Sequence, residues 1–425
     1  MVMVILELSA NMFVTFSFYN AKDPWKSYYN YFRDNIEEVD QNDNSLFYRS
    51  EIIGGEVINN NLDLYNNING RSGFNSLIPK ETNNTLFHVG GSSTEMCITP
   101  IEYSEVIDSL LGIKYLYSKN VQSDSTDLMC YKTIGCDDKV TVYENTIDTS
   151  IGYAVKANSN SFKFSDGRIL DNINKLCDAF IPGFDGKDIY EKKDLEYTVE
   201  SECDISIAEG EEMNISLSKN SDMEEYVFSV FHVKENGNYV MDFSTLNDVE
   251  IQIYRNLDFI KTVSVYGEKV INLGGFQDGD EISIGILGYV DGIEDNQYNI
   301  SFAKVNEEKL EIFKDYLDSN RFEITSFSDR HIMGSIDIKD DQSLFLSIPY
   351  DEGWHVYENG IEIKKQKLIQ SFIGVELEKG KHDIELIYTP QGYNIGIIIS
   401  IVSIIFFVGY NILEYRKNRK NTKAE

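Results

Sequence analysis

The sequence predicts an α+β, mostly β protein: an N-terminal α+β domain, two β-sandwich-like modules and a C-terminal transmembrane helix. Three observations carry this reading. Helical and strand-like apolar spacings interleave over roughly the first 170 residues. Alternating patterning with turn dipeptides then recurs from about Tyr197 to Pro390. Finally, Asn394 to Leu413 carry no charge over 20 positions, enough at ~1.5 Å per residue for a ~30 Å hydrocarbon core. The segments are read as 1–19, a partial or marginal transmembrane segment; 20–196, an extracytoplasmic α+β domain; 197–305, a β-sandwich; 306–392, a helix plus a second β-sandwich; 393–413, the transmembrane helix; and 414–425, a basic cytoplasmic tail.

Each element has a local reason. Met1 to Tyr19 is apolar apart from Glu7, Asn11 and a few hydroxyl residues. It lacks the basic start and small-residue cleavage site of a signal peptide. It reads as the last part of a helix from a larger membrane bundle, with Glu7 facing other helices. Asp23-Pro24 is a helix start, an Asp cap followed by Pro at the first helical position. Trp25, Tyr28, Tyr29, Phe32, Ile36 and Val39 follow at helical spacing, with Lys26, Arg33, Asp34, Glu37 and Glu38 opposite. Strand-like runs come next at Leu46–Ile52, Ile113–Ser118, Leu128–Ile134, Val140–Tyr143 and Tyr153–Lys156. Helical patterns lie between them near Tyr103–Leu111 and Ile169–Phe180, and Asn59–Asn69 is an Asn-rich loop.

Beyond Tyr197, Asn236-Gly237, Asp278-Gly279 and Asn359-Gly360 are hairpin-type dipeptides. The strand spacing suggests one sandwich over Tyr197–Val305 and another over Asn320–Pro390. Between them, Glu307–Ser319 has helical spacing of Leu310, Phe313 and Leu317. Trp354–Glu358, Asn359-Gly360 and Ile361–Lys365 form a hairpin whose loop wants positive φ at both positions. The final apolar run is flanked by Tyr393, Tyr410 and Tyr415, then by Arg416, Lys417, Arg419, Lys420 and Lys423 against only Glu414 and Glu425. A basic flank directly after a span belongs in the cytoplasm, so the residues before it face outward.

Composition excludes several functions. With 70 Asp+Glu against 38 Lys+Arg, a formal net charge of −32 and a pI near 4.5, the chain repels nucleic-acid phosphate and anionic headgroups. At 42% hydrophobic and 12% aromatic residues it is a folded protein, not an acidic disordered tail. The five cysteines, Cys97, Cys130, Cys136, Cys177 and Cys203, are no disulfide framework. Cys130 and Cys136 either close a small hairpin disulfide or are unpaired small hydrophobes. No CxxC is present, and the five histidines form no HxH, HExxH or HxxxH pair. Asp40, Asn42, Asn44 and Glu51 match positions 1, 3, 5 and 12 of a calcium-binding EF-hand loop, but Ser45 stands where the sharp turn needs Gly and a strand follows. A solvated helix-to-strand turn explains the same residues. There is no GxSxG, GxxxxGK[ST] or strand–GxGxxG–helix pattern. The residues therefore give no catalytic constellation, metal site or cofactor site.

The runs LFLSIPYDEGWHVYENGIEI and GVELEKGKHDIELIYTPQGYNIGIIIS resemble the C-terminal end of the YfhO-type bacterial membrane protein family. The matching positions are Ile348, Pro349, Tyr350, Gly353, Trp354, Gly360, Gly380, Lys381-His382, Tyr388 and Pro390, with Lys381 as a small insertion. Tyr48-Arg49, Asn69–Ser76, Leu110–Ser118, Val142–Asn145 and the VILELSAN start also look like this family. Physically, Pro349 ends a strand, Trp354 is a large anchor, Asn359 and the glycines permit turns, and Pro390 ends the last strand. Pro349, Tyr350, Gly353, Trp354, Asn359, Gly360, Gly380 and Pro390 are therefore expected to determine the fold, not to catalyse.

The resemblance implies a bacterial cell-membrane protein similar to glycosyltransferases of the GT-C type. Such enzymes glycosylate cell-surface polymers such as lipoteichoic acid from polyprenyl-phosphate sugars. In them the catalytic acidic residue is expected in an early outward loop of the membrane bundle, for which this chain has no matching position. The chain is thus expected to be the extracytoplasmic C-terminal part, non-catalytic alone. Its partners would be the membrane, a multi-span region supplied by a missing N-terminal part or by a separate chain, and cell-wall polymer. The alternative is a membrane-anchored β-sandwich module that binds carbohydrate or a protein partner.

Overall fold

The computed structural model describes residues 30–53, 61–75, 77–94, 96–99, 104–119, 129–137, 139–165, 167–184, 186–201, 204–208, 213–218, 225–288, 295–339 and 342–421. The N-terminal apolar segment and the Asp23-Pro24 helix start lie outside these residues.

The first region is α+β. Helix α1 (Arg33–Asn42) follows Phe32 and buries Ile36 and Val39, the spacing read from the sequence. Strand β1 (Arg49–Ile53), helix α2 (Leu62–Tyr65), β2 (Gly73–Phe74), α3 (Lys80–Phe87), β3 (Ser92–Thr94), β4 (Cys97–Ile98) and α4 (Glu105–Leu110) follow. Then come β5 (Ile113–Lys119), β6 (Tyr131–Cys136) and β7 (Val140–Asn145). A four-stranded sheet runs β1-β5-β7-β6, with β1 and β5 parallel. One face packs Ile52, Tyr115, Tyr117 and Val142 under α1. The other packs Ile53, Ile113, Leu116 and Tyr143 into a larger core. Strands β2, β4 and β3 form a small separate sheet.

Strand β8 (Gly152–Lys156) and helix α5 (Ile169–Phe180) lead to β9 (Tyr190–Lys193), β10 (Glu196–Ser201), β11 (Asp204–Ala208), β12 (Met213–Ser218) and β13 (Glu225–His232). Next are β14 (Gly237–Arg255), β15 (Asp258–Phe276), β16 (Glu281–Gly288) and β17 (Asp295–Val305). Strands β14 and β15 are 19 residues each and pair along their whole length. Their turn places Asn256 and Leu257 at φ 51° and 70°, a pair no turn dipeptide announces. The register breaks between Thr245 and Val249. Before the break β14 pairs with β17, and after it with β16. The hairpin thus folds one sheet into two layers. Both halves of β14 contribute to a single core, Tyr239, Met241 and Phe243 from one and Val249, Ile251 and Ile253 from the other.

Helix α6 (Glu307–Ser319) is capped by Asn306, whose side chain accepts from Lys309 N–H at 3.0 Å. It buries Leu310, Phe313 and Leu317 in the core of the first region. The remaining strands are β18 (Glu323–Ser328), β19 (His331–Ile338), β20 (Gln342–Pro349), β21 (Trp354–Glu358), β22 (Ile361–Ile363), β23 (Lys365–Leu368), β24 (Phe372–Glu376) and β25 (Gly380–Tyr388). They form two sheets, β18-β19-β25-β21-β22 and β23-β24-β20-β8. The β21–β22 turn is the expected one, with Asn359 and Gly360 at φ 50° and 77°. Helix α7 (Tyr393–Asn421) ends the described chain. An 18-residue window within its Tyr393–Arg416 stretch has mean hydropathy 2.4 and is not buried against the rest, so the helix is long and apolar enough to cross a membrane.

One strand crosses the segment boundaries read from the sequence. Strand β8, from the first region, is antiparallel to β20 from Leu346↔Gly152 to Gln342↔Lys156. Its other edge meets Asn320–Phe322, where Ala154 N–H donates to Asn320 O at 2.8 Å and Phe322 N–H to Gly152 O at 2.8 Å. Arg49 fixes the same junction. Its guanidinium donates to Leu111 O at 2.5 Å, Ser347 Oγ at 2.7 Å and Ser347 O at 3.0 Å. Replacing Arg49 with Ala leaves these acceptors unpaired. The expected result is a loss of roughly 2–4 kcal/mol, read as a lower urea midpoint of the detergent-solubilised chain.

Candidate functional site

The family-like residues fall into two clusters at opposite ends of β25. At the helix end, β20 stops at Pro349 and Tyr350 N–H donates to Ser371 O at 2.7 Å. The Asp351–Gly353 turn is closed by Gly353 N–H donating to Asp351 Oδ1 at 2.7 Å. Gly353 O then accepts from Thr389 N–H at 2.8 Å. A Cβ on Gly353 would lie 2.6 Å from Thr389 O, so the approach admits only glycine. The Trp354 ring lies 5.0 Å from that of Tyr388. Pro390 O accepts from Tyr393 N–H at 3.1 Å as α7 begins. Beside this joint Lys365 and Lys367 Nζ sit 5.0 and 5.3 Å from the centre of the Tyr350 ring. Pro349, Tyr350, Gly353, Trp354 and Pro390 thus form the joint between sheet and apolar helix.

Asn359, Gly360 and Gly380 lie at the other end. There His382 Nδ1 contacts Glu358 Oε1 at 2.5 Å and its Nε2 contacts Glu378 O at 2.7 Å. Burial works against the imidazolium, but these acceptors outweigh it and raise the His382 pKa.

Two buried ionic clusters were not anticipated. In the first region Arg71 Nε lies 3.3 Å from Glu51 Oε2, and its Nη1 lies 3.0 Å from Asp108 Oδ1. Tyr131 OH donates to Asp108 Oδ2 at 2.9 Å. Burial pushes the Asp108 pKa up to about 6, against the pull of Arg71 and Tyr131. Burial, with the Glu51 carboxylate beside it, raises Asp63 well above the carboxylate range. Burial also lifts Glu105 to about 7, while its Oε1 accepts from Asn272 Nδ2 of β15 at 3.1 Å. The second cluster ties α5 to the sandwich: Arg168 Nη2 is 3.0 Å from Asp242 Oδ1 and Nε is 3.5 Å from Glu268 Oε1. Burial, reinforced by Glu268 and opposed by Arg168, takes Asp242 to about 8. Perturbed carboxylates often mark active sites. Glu105, Asp108 and Asp242 are 3%, 0% and 0% exposed, so a substrate does not reach them.

The EF-hand-like residues do not converge. Asp40 accepts from the Tyr48 hydroxyl, and Glu51 is committed to Arg71. Burial acts against the charge of the adjacent Asp43, but hydrogen bonds from Lys114, Ser45 and Tyr115 hold its pKa down at about 2. Among the described residues no three His, Cys, Asp or Glu side chains gather as a metal site. Cys130 is buried and Cys136 is exposed. Strand β6 runs between them, and extension at ~3.3 Å per residue keeps them apart.

On the outer face of the sandwich, Phe228, Tyr254 and Phe259 form a chain of rings. Their centroids are 6.0 Å apart for Phe228–Tyr254 and 5.7 Å for Tyr254–Phe259. Tyr254 OH donates to Gln252 Oε1 at 2.7 Å, and Phe259 is 39% exposed. The period of β13 carries the signal: Val227, Ser229 and Phe231 point inward, which leaves an aromatic on the solvent phase at Phe228.

Glu105 sets a pH dependence. Unfolded, it loses its proton in the ordinary carboxylate range; folded, it does so near 7. Its contribution is fully present below the ordinary range and is lost as pH rises through about 7. Glu105→Gln is expected to flatten this slope. Urea midpoints of wild type and variant compared at roughly pH 5 and pH 8 check it, the wild type falling further.

Residues 1–400 match the family described as bacterial membrane protein YfhO. A protein of Bacillus subtilis (strain 168), described as uncharacterized protein YfhO, is 32% identical over 116 residues, 27% of this chain and 14% of that protein. The match thus spans 14% of the relative's length. Among solved structures, TmCBM61 in complex with β-1,4-galactotriose has a TM-score of 0.19 at 14% identity, covering 29% of this chain and 92% of that one. A family 11 carbohydrate-binding module from Clostridium thermocellum, in complex with a β-1,3-1,4-mixed-linked tetrasaccharide, has a TM-score of 0.19 at 11% identity, covering 27% and 95%. Scores this low give the likeness no weight for function. The family match over residues 1–400 and the apolar C-terminal helix agree with each other: the chain belongs to the YfhO family of bacterial membrane proteins.

Proposed function

We propose that this chain is an outward-facing region of a GT-C-type membrane glycosyltransferase system. It would help position an acceptor such as lipoteichoic acid for sugar transfer from a polyprenyl-phosphate donor. The joint at Gly353 and Trp354 carries this reading. It couples a β sheet directly to a helix long enough to span a membrane, which supports sheets held near the bilayer surface. The basic residues after the span favour a cytoplasmic tail and an outward bulk. The carboxylates that burial pushes up in pKa, Glu105, Asp108 and Asp242, are shut inside packed interiors, which favours assigning the transfer chemistry to a membrane bundle. The test is made in cells carrying the intact locus, with residues 30–388 deleted or left in place. Mass spectrometry of the teichoic acid should show a loss of sugar on deletion. Unchanged glycosylation overturns the proposal.

A second reading is a membrane-anchored module that binds carbohydrate, and the Phe228–Tyr254–Phe259 face favours it. Aromatic faces pack against the apolar C–H faces of sugar rings while hydroxyls stay wet. Under this reading Tyr254→Ala weakens glycan binding by the detergent-solubilised chain by about tenfold, measured by titration calorimetry, without shifting its thermal midpoint.

A further inference from the structure

A cavity of about 470 Å³ lies at the loop end of the sandwich, away from the aromatic face. It forms where the two ends of β14 come together. Gly237 and Asn238 line one side, Arg255 another, and Phe276, Gln277 and Asp280 a third, with Met129 of the first region as a wall. The loops are cross-tied: Asp278 N–H donates to Asn236 Oδ1 at 2.8 Å, Asn256 Nδ2 to Asp280 Oδ1 at 2.8 Å, and Gly279 N–H to Val233 O at 2.9 Å. The walls are therefore pre-organised.

Two of the polar groups in them are unspent. The Arg255 guanidinium stacks 4.5 Å over the Phe276 ring, yet makes no hydrogen bond to any described residue, and its Nε is buried. Asn238 Oδ1 is buried and likewise without a hydrogen-bond partner among the described residues. Asp280 uses one bond per oxygen, from Asn256 Nδ2 and from Gln277 N–H at 2.8 Å, which leaves lone pairs free. Leaving buried polar groups unmade is costly, so such groups mark a place for an absent partner.

We propose that this cavity binds an uncharged, hydroxyl-rich ligand of about one or two sugar rings. The site is distinct from the aromatic face and stands whether or not that face binds. The chemistry selects the class. Guanidinium N–H groups donate to ring and hydroxyl oxygens, and Asn238 Oδ1 and Asp280 accept from hydroxyls. An anion would be drawn to Arg255 but would meet the Asp280 carboxylate in the same space. An apolar ligand would leave the polar groups unpaired, and Phe276, 3% exposed under its guanidinium, offers it no surface.

The test uses the full chain in detergent on a glycan array carrying neutral and anionic glycans, followed by titration of the strongest neutral binder. Neutral glycans should be retained. Arg255→Ala should weaken them at least about tenfold, through loss of charge-assisted hydrogen bonds. Gln277→Ala, at an exposed position whose loop bond is made by its backbone, tests the site without disturbing the fold and should weaken them severalfold. Tyr254→Ala should leave this binding unchanged. Absence of any neutral glycan binding, a preference for anionic glycans, or loss on Tyr254→Ala but not on Arg255→Ala or Gln277→Ala overturns the proposal.

Discussion

The molecule depends on one non-local pairing, strand β8 against β20. Gly152–Lys156 leaves the first region and completes the sheet of β23, β24 and β20, nearly two hundred residues away in sequence. Everything between them is enclosed by that closure. Helix α6 then packs into the first core, and Arg49 reaches the Ser347 backbone across the same seam. Loop closure over such a length costs only slowly growing entropy, while each edge of β8 gains a set of backbone bonds. The first region and the last sheets thus share a hydrogen-bonded boundary, and the sandwich is the insertion between them.

Local chemistry was legible where a short motif determines it. Leu310, Phe313 and Leu317 at helical spacing became the buried stripe of α6, and Asn359-Gly360 became the positive-φ turn. The apolar run after Tyr393 became α7. Features set by partners distant in sequence were not legible. Nothing in the sequence around Tyr153 says that it lies opposite Phe345, and the long β14–β15 hairpin turns at Asn256-Leu257, where Asn256 suits a positive φ but Leu257 does not. Glu51 could be read only as a possible ligand, because its real partner, Arg71, is placed by the fold. The cavity at Arg255 escaped for the same reason: its walls come from loops at 236–238, 255 and 275–280, joined only when β14 doubles back.

The family-like residues acquire a physical meaning from where they sit. Gly353 is needed because a carbonyl lies where its Cβ would be, and Trp354 because its ring packs on Tyr388 one step before the chain leaves the sheet. A joint of this kind restricts the angle between sheet and helix. Aromatic and lysine side chains beside it, Tyr350 with Lys365 and Lys367, suit the boundary between water and headgroups.

Charge limits what such a surface can recognise. A net −32 raises the free energy of any approaching polyanion, and screening weakens this only beyond about 8 Å at physiological ionic strength. Burial raises the pKa of Glu105 and Asp242, which trims this charge by no more than a small part and leaves the exposed carboxylates to set the field. If the chain acts as proposed, a polymer bearing phosphates would be held most readily through its uncharged sugar units, with the phosphates kept in solvent. Arg255, placed opposite Asp280, suits that division: it offers directional donors without a net positive field. Under the proposed function, recognition by hydroxyls would let so acidic a protein hold an anionic acceptor.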